Sequence, residues 1–318
     1  MPPLSVVIPG HNRPDLLKAC LASVLRHAPS GTEVIVVDDA SSEGCVSATA
    51  RPFAGVRVLR RARRGGFCVA ANAGVRAATA DVVELLNDDT QVTPGWADAG
   101  LRVFQRDDVG AVAPLVLDAS SCDRQAPVVD SAGDRYFLGG VAGKRGHGRP
   151  LGPQHLQAGR VFGASASSAF YRREAFLAVG GFPESFGAYF EDVDLAFRLN
   201  RAGWHVEYEP GSRVLHHISS SYGRPERSLL AMQSRNEERV FWRNLPRGTL
   251  LKSLPLHLAV LVAKAWRRWR EGSLIPFLQG RLEVLAEIQE LCRHRQAIGC
   301  AAPALLPATW GVEDRFWG

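Results

Sequence analysis

Three apolar, β-branched runs in the N-terminal part of the chain each stop abruptly at a polar cluster. "LSVVI" (4–8) runs into "GHNR", "VIVV" (34–37) into "DDAS", and "DVVELL" (81–86) into "NDDT". Continuous apolar runs of this kind read as strands buried on both faces, the signature of a parallel sheet. Helical patterns separate them. Asn12 and Pro14 open a helix whose Leu16, Leu17, Cys20, Leu21, Val24 and Leu25 share one face. "VRVLR" (56–60) is a shorter strand, and "GGFCVAANAGVRAAT" (65–79) is a glycine-led loop running into a helix. The βαβ pattern predicts an α/β fold in which ligands gather beyond the carboxyl ends of the strands. Three polar stops on one sheet edge therefore predict a nucleotide-type site.

The middle of the chain is less regular. Residues 118–160, rich in Gly, Pro, Asp and Arg, read as loops, and 160–176 as a strand leading into a helix. Residues 180–210 begin as a glycine turn and become helical from Glu191. "HVEYEP" and "SRVLHH" read as two short strands. Long basic helical patterns start near 225. The expected division is a catalytic domain over 1–224 and a helical C-terminal extension over 225–318. The catalytic domain splits into a donor-binding half (about 1–115) and an acceptor half (about 116–224).

Each cluster has a bland and a functional reading. Asp88 and Asp89 repel each other unless a cation lies beside them, and hard divalent ions prefer carboxylate oxygens; an exposed turn also favours Asn-Asp-Asp-Thr. Asp38 and Asp39 suit a nucleobase or ribose, or equally an Asx turn or helix cap. In "EDVD", Glu191 and Asp194 share a helix face, and a carboxylate there serves either the helix dipole or general-base chemistry. His216 and His217 end a strand, where one of them is either a ligand or a structural imidazole.

Taken together, these segments resemble the inverting glycosyltransferases of family 2, with their GT-A fold, and within them the bacterial rhamnosyltransferase-like members. "SVVIPGHNR" is similar to the family's first strand and nucleotide loop, which implies donor contacts for Pro9, Asn12 and Arg13. "VIVVDDAS" resembles its base-binding aspartates, so Asp39 is expected on the base and Asp38 on the base or ribose. "RGGFCVAANAG" resembles its glycine-phenylalanine loop and helix, with Gly66 and Asn72 on the donor side. "LLNDDT" stands where the family carries its DXD metal motif. The resemblance implies Asp89 as metal ligand, Asp88 near the sugar or ribose, and the neutral Asn87 in the first acidic position. "VGGFPESFGAYFEDVDLAFRLNRAGW" is similar to the catalytic segment, implying Asp192 as catalytic base with Glu191 and Asp194 shaping the acceptor site. "VLHH" implies His216 on the metal or diphosphate. The implied reaction is inverting transfer of a sugar from a UDP- or dTDP-sugar to a hydroxyl of a glycan or lipid-linked acceptor, with Mn²⁺ or Mg²⁺. Two other readings stand beside it: a sugar-1-phosphate nucleotidyltransferase, whose glycine- and basic-rich loop after the first strand is missing, and a catalytically inactive nucleotide-sugar-binding module.

The formal charge of +6, from 38 Lys+Arg against 32 Asp+Glu, favours anionic partners. No nucleic-acid-binding motif accompanies it, so no nucleic-acid partner is expected. Cys20, Cys45, Cys68, Cys122, Cys292 and Cys300 form no CxxC pair and read as free thiols in a reducing compartment. "MPPLSVVIPGHNRPD" has no signal-peptide pattern, and "LPLHLAVLVA" (254–263) is about half the ~20 residues of a spanning helix. The expectation is a cytoplasmic protein. Its basic, Trp-containing C-terminal helices are read as a peripheral contact with the inner membrane face, as packing on the catalytic domain, or as a homodimer contact.

Overall fold

The computed structural model describes residues 2–217 and 226–297. Its N-terminal half is β1 (Leu4–Gly10), α1 (Pro14–His27), β2 (Glu33–Asp38), α2 (Cys45–Ala50), β3 (Val56–Arg60), α3 (Phe67–Ala77) and β4 (Val82–Leu86). These strands pair in parallel in the order β3-β2-β1-β4. Successive side chains of β1 face opposite layers. Val6 and Ile8 pack in the layer of Leu17, Leu21 and Val24 from α1. Val7 packs in the layer of Ala71 and Val75 from α3. At Gly74 of α3 a Cβ would lie 2.2 Å from Val7, so only glycine lets this helix approach the sheet so closely.

Beyond β4 come β5 (Thr90–Val92), α4 (Trp96–Val103), β6 (Val109–Asp118), β7 (Val129–Ser131), β8 (Asp134–Phe137), β9 (Val141–Lys144), β10 (Gly159–Val161), β11 (Ser168–Arg172), α5 (Arg173–Ala178), α6 (Glu191–Arg201) and β12 (His205–His216). They extend the sheet in the order β4-β11-β6-β12-β10, with β5 on β12 and β7 on β6. The sheet stays parallel between β6 and β12 and turns antiparallel around β11 and β10. The result is a mixed, mostly parallel α/β sheet flanked by helices, the architecture that the resemblance implies.

Two local expectations are corrected. Residues 118–160 are not all loop: β7 joins the main sheet and β8–β9 form a separate hairpin. The two short strands expected over 205–217 are one strand of 12 residues. Its register against β6 shifts between Glu209 and Arg213, because the Pro210–Gly211 pair makes a bulge instead of an end. This continuity matters for the site. It sets His216 opposite Thr90 of β5, beside the Asp88–Asp89 turn.

The helical extension is α7 (Arg227–Asn244), α8 (Arg247–Arg270), α9 (Leu274–Leu285) and α10 (Ile288–Ala297). The expected boundary at 224/225 lies outside the described residues, as does Cys300. Cys20, Cys45, Cys68, Cys122 and Cys292 are free thiols. Helix α8 runs 24 residues, well past its apolar run, and is long and apolar enough to cross a membrane by length and composition alone. One of its faces is nevertheless buried in the protein. His257 bonds the Gly139 carbonyl at 2.9 Å and Glu238 at 3.1 Å, and stacks on Phe241 with ring centroids 3.7 Å apart.

Candidate active site

The ends of β1, β2 and β4 lie side by side. The Asp39 amide donates to the Gly10 carbonyl at 3.1 Å, which fixes the β2 terminus against that of β1. Asp39 is buried and accepts from Arg61 (2.6 Å) and from the Gly65 and Gly66 amides (2.8–3.1 Å). It thereby draws the glycine loop to the strand end. Gly66 has φ +84° and a Cβ there would lie 3.2 Å from the Gly187 carbonyl, so this position accepts only glycine.

Several residues expected on the donor also hold the scaffold. Asp38 is 0% exposed, and its oxygens accept from the Ser41 and Ser47 amides and the Ser47 hydroxyl at 2.5–3.2 Å. Burial alone would raise its pKa, but those hydrogen bonds bring it below the usual carboxylate range. Asp38 thereby supports the 41–47 turn. The Asn12 side-chain Oδ1 accepts from the Ser42 amide at 2.7 Å, with Asn12 itself at φ +57°. Asn72 is buried and exchanges hydrogen bonds with both backbone groups of Phe182 at 2.9 Å, clamping α3 to the segment that leads into α6. Pro9 is buried within β1, paired with Val37.

Asp88 and Asp89 are buried, and the Arg13 guanidinium spans both. It lies 2.8 Å from Asp88 Oδ1 and 2.7 Å from Asp89 Oδ2. Burial pushes Asp88 up to about 7, partly offset by Arg13 and reinforced by the Asp89 charge. Asp89 goes the other way: His216 and Arg13 outweigh its burial and hold it down. His216 stands between two carboxylates, Nε2 3.2 Å from Asp89 Oδ1 and Nδ1 3.0 Å from Asp130 Oδ2. Burial would lower its pKa, but the two partners raise it to about 9. Asp130 is in turn held by Lys144 at 3.1 Å and His147 at 3.2 Å. Asp130, Lys144 and His147 were not anticipated. Their only sequence signal is a cluster of charged residues in a stretch that reads as loop.

This donor set fits one hard divalent cation. Asp88 Oδ2 is buried without a hydrogen-bond partner, a guanidinium bridges the two carboxylates as a cation would, and His216 presents Nε2 with Nδ1 anchored to a carboxylate, the usual support of a ligating imidazole. Among the described residues no three His, Cys, Asp or Glu side chains form a closed metal cage. An ion here would need further ligands from the substrate.

The third cluster is tied to the second by one short segment. The Asn87 amide donates to the Ser167 carbonyl at 3.0 Å, and the next residue, Ala166, donates its amide to Asp192 Oδ2 at 3.0 Å. Asp192 Oδ1 accepts from the Val193 amide at 2.8 Å. Burial raises the Asp192 pKa against these amides, and buried Glu191, beside it, is raised further by burial and by the Asp192 charge. Asp194 differs from its expected acceptor role. It is fully buried, bound by Arg198 at 2.8–2.9 Å, Arg243 at 3.0 Å and Asn244 at 2.7 Å. Despite burial, Arg243 and Arg198 hold it down at about 2. It is the ionic peg joining α6 to α7.

The turn before Asp192 is strained. Tyr189 (φ +68°) and Phe190 (φ +65°) are consecutive non-glycine residues in the left-handed region, which costs of order 1–3 kcal/mol each. Asn236 of α7 holds that turn, its side-chain amide within 2.8–3.1 Å of the Phe186, Ala188 and Tyr189 carbonyls. The helical extension thus sets the turn that leads into Glu191 and Asp192, a role the sequence did not reveal.

The family model "Glycosyl transferase family 2" matches residues 5–180. The chain is similar to the N-acetylglucosaminyl-diphospho-decaprenol L-rhamnosyltransferase of Mycobacterium tuberculosis, 31% identical over 87% of this chain and 98% of that protein. Among solved structures it resembles GalNAc-T7 with UDP, GalNAc and Mn²⁺, at TM-score 0.65 and 19% identity over 95% of this chain and 55% of that one. It also resembles the mannosyltransferase PcManGT of Pyrobaculum calidifontis with GDP-Man and Mn²⁺, at TM-score 0.57 and 17% identity over 93% and 83%. The chain is a glycosyltransferase and belongs to glycosyltransferase family 2.

Proposed function

We propose that this enzyme transfers a sugar, with inversion, from a UDP- or dTDP-sugar to a hydroxyl of a lipid-linked saccharide, with Asp192 as the base. The observation that carries this is the setting of Asp192: a carboxylate fixed by two backbone amides, raised in pKa by burial, and joined through Ala166 and Ser167 to the end of β4. A base must lie within reach of the proton it takes and have a pKa moved toward the working pH, and this carboxylate has the second property built in. Asp192 accepts the proton of the attacking hydroxyl. The hydroxyl oxygen bonds to the anomeric carbon as the bond to the diphosphate oxygen breaks on the opposite face, so one displacement inverts the centre.

Asp89 and His216, with Asp88 beside them, are the residues that would hold Mn²⁺ or Mg²⁺. Such an ion, when bound, would supply positive charge to the leaving diphosphate. Both similar structures contain Mn²⁺, which supports a divalent ion here. Arg13 then exchanges its two carboxylates for the diphosphate, and Asp39 and the glycine loop serve the base. On this reading residues 1–115 form the donor half and 116–224 the acceptor half.

The relative's name specifies a lipid diphosphate acceptor, and α8 is built to reach one. Leu251, Leu258, Val262, Trp266 and Trp269 are exposed at helical spacing on one side of α8, and Ile275, Leu278, Leu282 and Leu285 on α9. An apolar stripe of this kind, flanked by basic side chains, lies flat in a membrane interface. The transfer reading is tested by a nucleotide-sugar panel assayed for nucleoside diphosphate release with Mn²⁺ or Mg²⁺. Liposome flotation tests the interface: wild type floats with anionic lipid, and failure to float with or without it refutes peripheral binding.

A further inference from the structure

A cavity outside the site described above lies between the 189–190 turn and the C-terminal helices. Its volume is about 310 Å³, and its lining includes Tyr189 and Phe190 from the turn, Glu237 from α7, and Lys264, Arg267 and Arg268 from α8. That size is at the small end of the ~300–1,000 Å³ of small-ligand sites. The lining carries three cations and Glu237, and Glu271 beside them brings the balance to three cations against two carboxylates. Glu237 is already shared, since both Lys264 and Arg281 pair with it. Arg267 and Arg268 are steadied by Glu271 at 2.6 and 3.0 Å, so the cations are ordered before any ligand arrives. An ordered cluster of excess positive charge in a concave site is suited to an oxyanion with several acceptor oxygens.

Two further observations place the source of that anion. Tyr189 and Phe190 run directly into Glu191 and Asp192, so the cavity adjoins the catalytic turn. At about 100° per residue, Lys264, Arg267 and Arg268 occupy the side of α8 opposite Leu251, Leu258, Val262, Trp266 and Trp269. A helix ~10 Å across, buried ~5–10 Å into the headgroup boundary by its apolar side, holds its basic side at the level of the lipid phosphates. We infer that this pocket binds the diphosphate of the lipid-linked acceptor, fixing it so that the attached sugar reaches Asp192. The inference rests on the lipid-linked reading above and adds to it a subsite distinct from the donor diphosphate.

The test is equilibrium binding of farnesyl diphosphate to the full chain in detergent micelles. EDTA is present and nucleotide absent, so that the metal-dependent donor site is silent. Inorganic pyrophosphate and farnesol are the comparison probes. Farnesyl diphosphate is expected to bind, farnesol not to compete, and Arg267→Ala/Arg268→Ala to weaken binding at least about tenfold, as loss of charged hydrogen bonds does. Arg268→Lys should restore part of it, and Arg270→Ala, an exposed cation outside the cavity, should have little effect. Thermal midpoints confirm that each variant is folded. Equal binding by wild type and the double variant overturns the inference. So does an equal loss in Arg270→Ala, which would mean diffuse electrostatics, or pyrophosphate binding as tight as farnesyl diphosphate, which would mean a free-anion site. No turnover is read, so a failed transfer assay and a failed binding assay are separate results.

Discussion

Asp192 and Asp194 lie two residues apart, yet their surroundings assign them opposite tasks, and Asp194→Asn separates the two. The wild-type carboxylate is fully buried against Arg198, Arg243 and Asn244. Lowering its pKa from 3.8 to about 2 corresponds to roughly 2–3 kcal/mol of folding stability at neutral pH. Removing the charge also leaves two buried guanidinium groups without their shared anion. Breaking a buried ion pair from one side costs about 3–5 kcal/mol, and this larger figure is the expected loss. At ~2.1 cal/mol/K per residue over 318 residues, that is a fall of about 4–7 °C in Tm. Differential scanning calorimetry at pH 7 reads it. The sign with pH also follows. A depressed carboxylate stabilises the fold above its unfolded pKa, so wild type should lose this advantage as pH falls from about 4 toward 2, and the variant should show no such loss from this site. Transfer by the surviving folded protein should remain substantial below the melting transition. An unchanged Tm with abolished transfer would refute the structural role and return Asp194 to the acceptor site.

Asn236→Ala should release the strained turn at Tyr189 and Phe190, lowering kcat by roughly 10²-fold with little change in donor KM, as steady-state kinetics would show. Glu84 is fully buried in β4, bonded to Trp96 and Ser168, and raised to about 8 chiefly by that burial. Its neutral form supports the fold, and that support is complete below the unfolded pKa and lost as pH rises through about 8. Glu84→Gln should therefore raise Tm more at pH 8.5 than at pH 5. Binding of Mn²⁺ with nucleoside diphosphate should tighten from pH 6 to 9 and release protons, because His216 (about 9) and Asp88 (about 7) must give theirs up. Calorimetry in buffers of different ionisation enthalpy would detect that release, and none should appear in His216→Ala/Asp88→Asn.

The parallel half of the sheet was legible because β1, β2 and β4 are buried on both faces and each ends at a polar stop. The same logic brought Asp39, Asp88 and Asp89 toward one edge, while Asp192 was marked only by its resemblance to the family's EDVDL segment. Side-chain direction was the hidden quantity. Asp38, Asn72 and Asp194 occupy the positions their motifs predict, but they face inward and join elements together. A motif gives an address along the chain and leaves open which way a carboxylate turns at the last bond. The bulged β12 was hidden because Pro210 and Gly211 read as an end. The Asp130–Lys144–His147 support of His216 was hidden because it comes from short strands rich in Gly, Asp and Arg, where no periodicity announces a partner 86 residues away.

On the proposed mechanism Asp192 takes the acceptor proton in a single inverting displacement. The direct measurement is nucleoside diphosphate release by wild type and Asp192→Asn, with the preferred donor, a lipid-linked acceptor and Mn²⁺, alongside donor binding by each. The amide keeps the shape of the site and can still accept from one of the two backbone amides. Transfer should be abolished, with donor binding within a few-fold of wild type. Near wild-type turnover by Asp192→Asn would contradict the assignment.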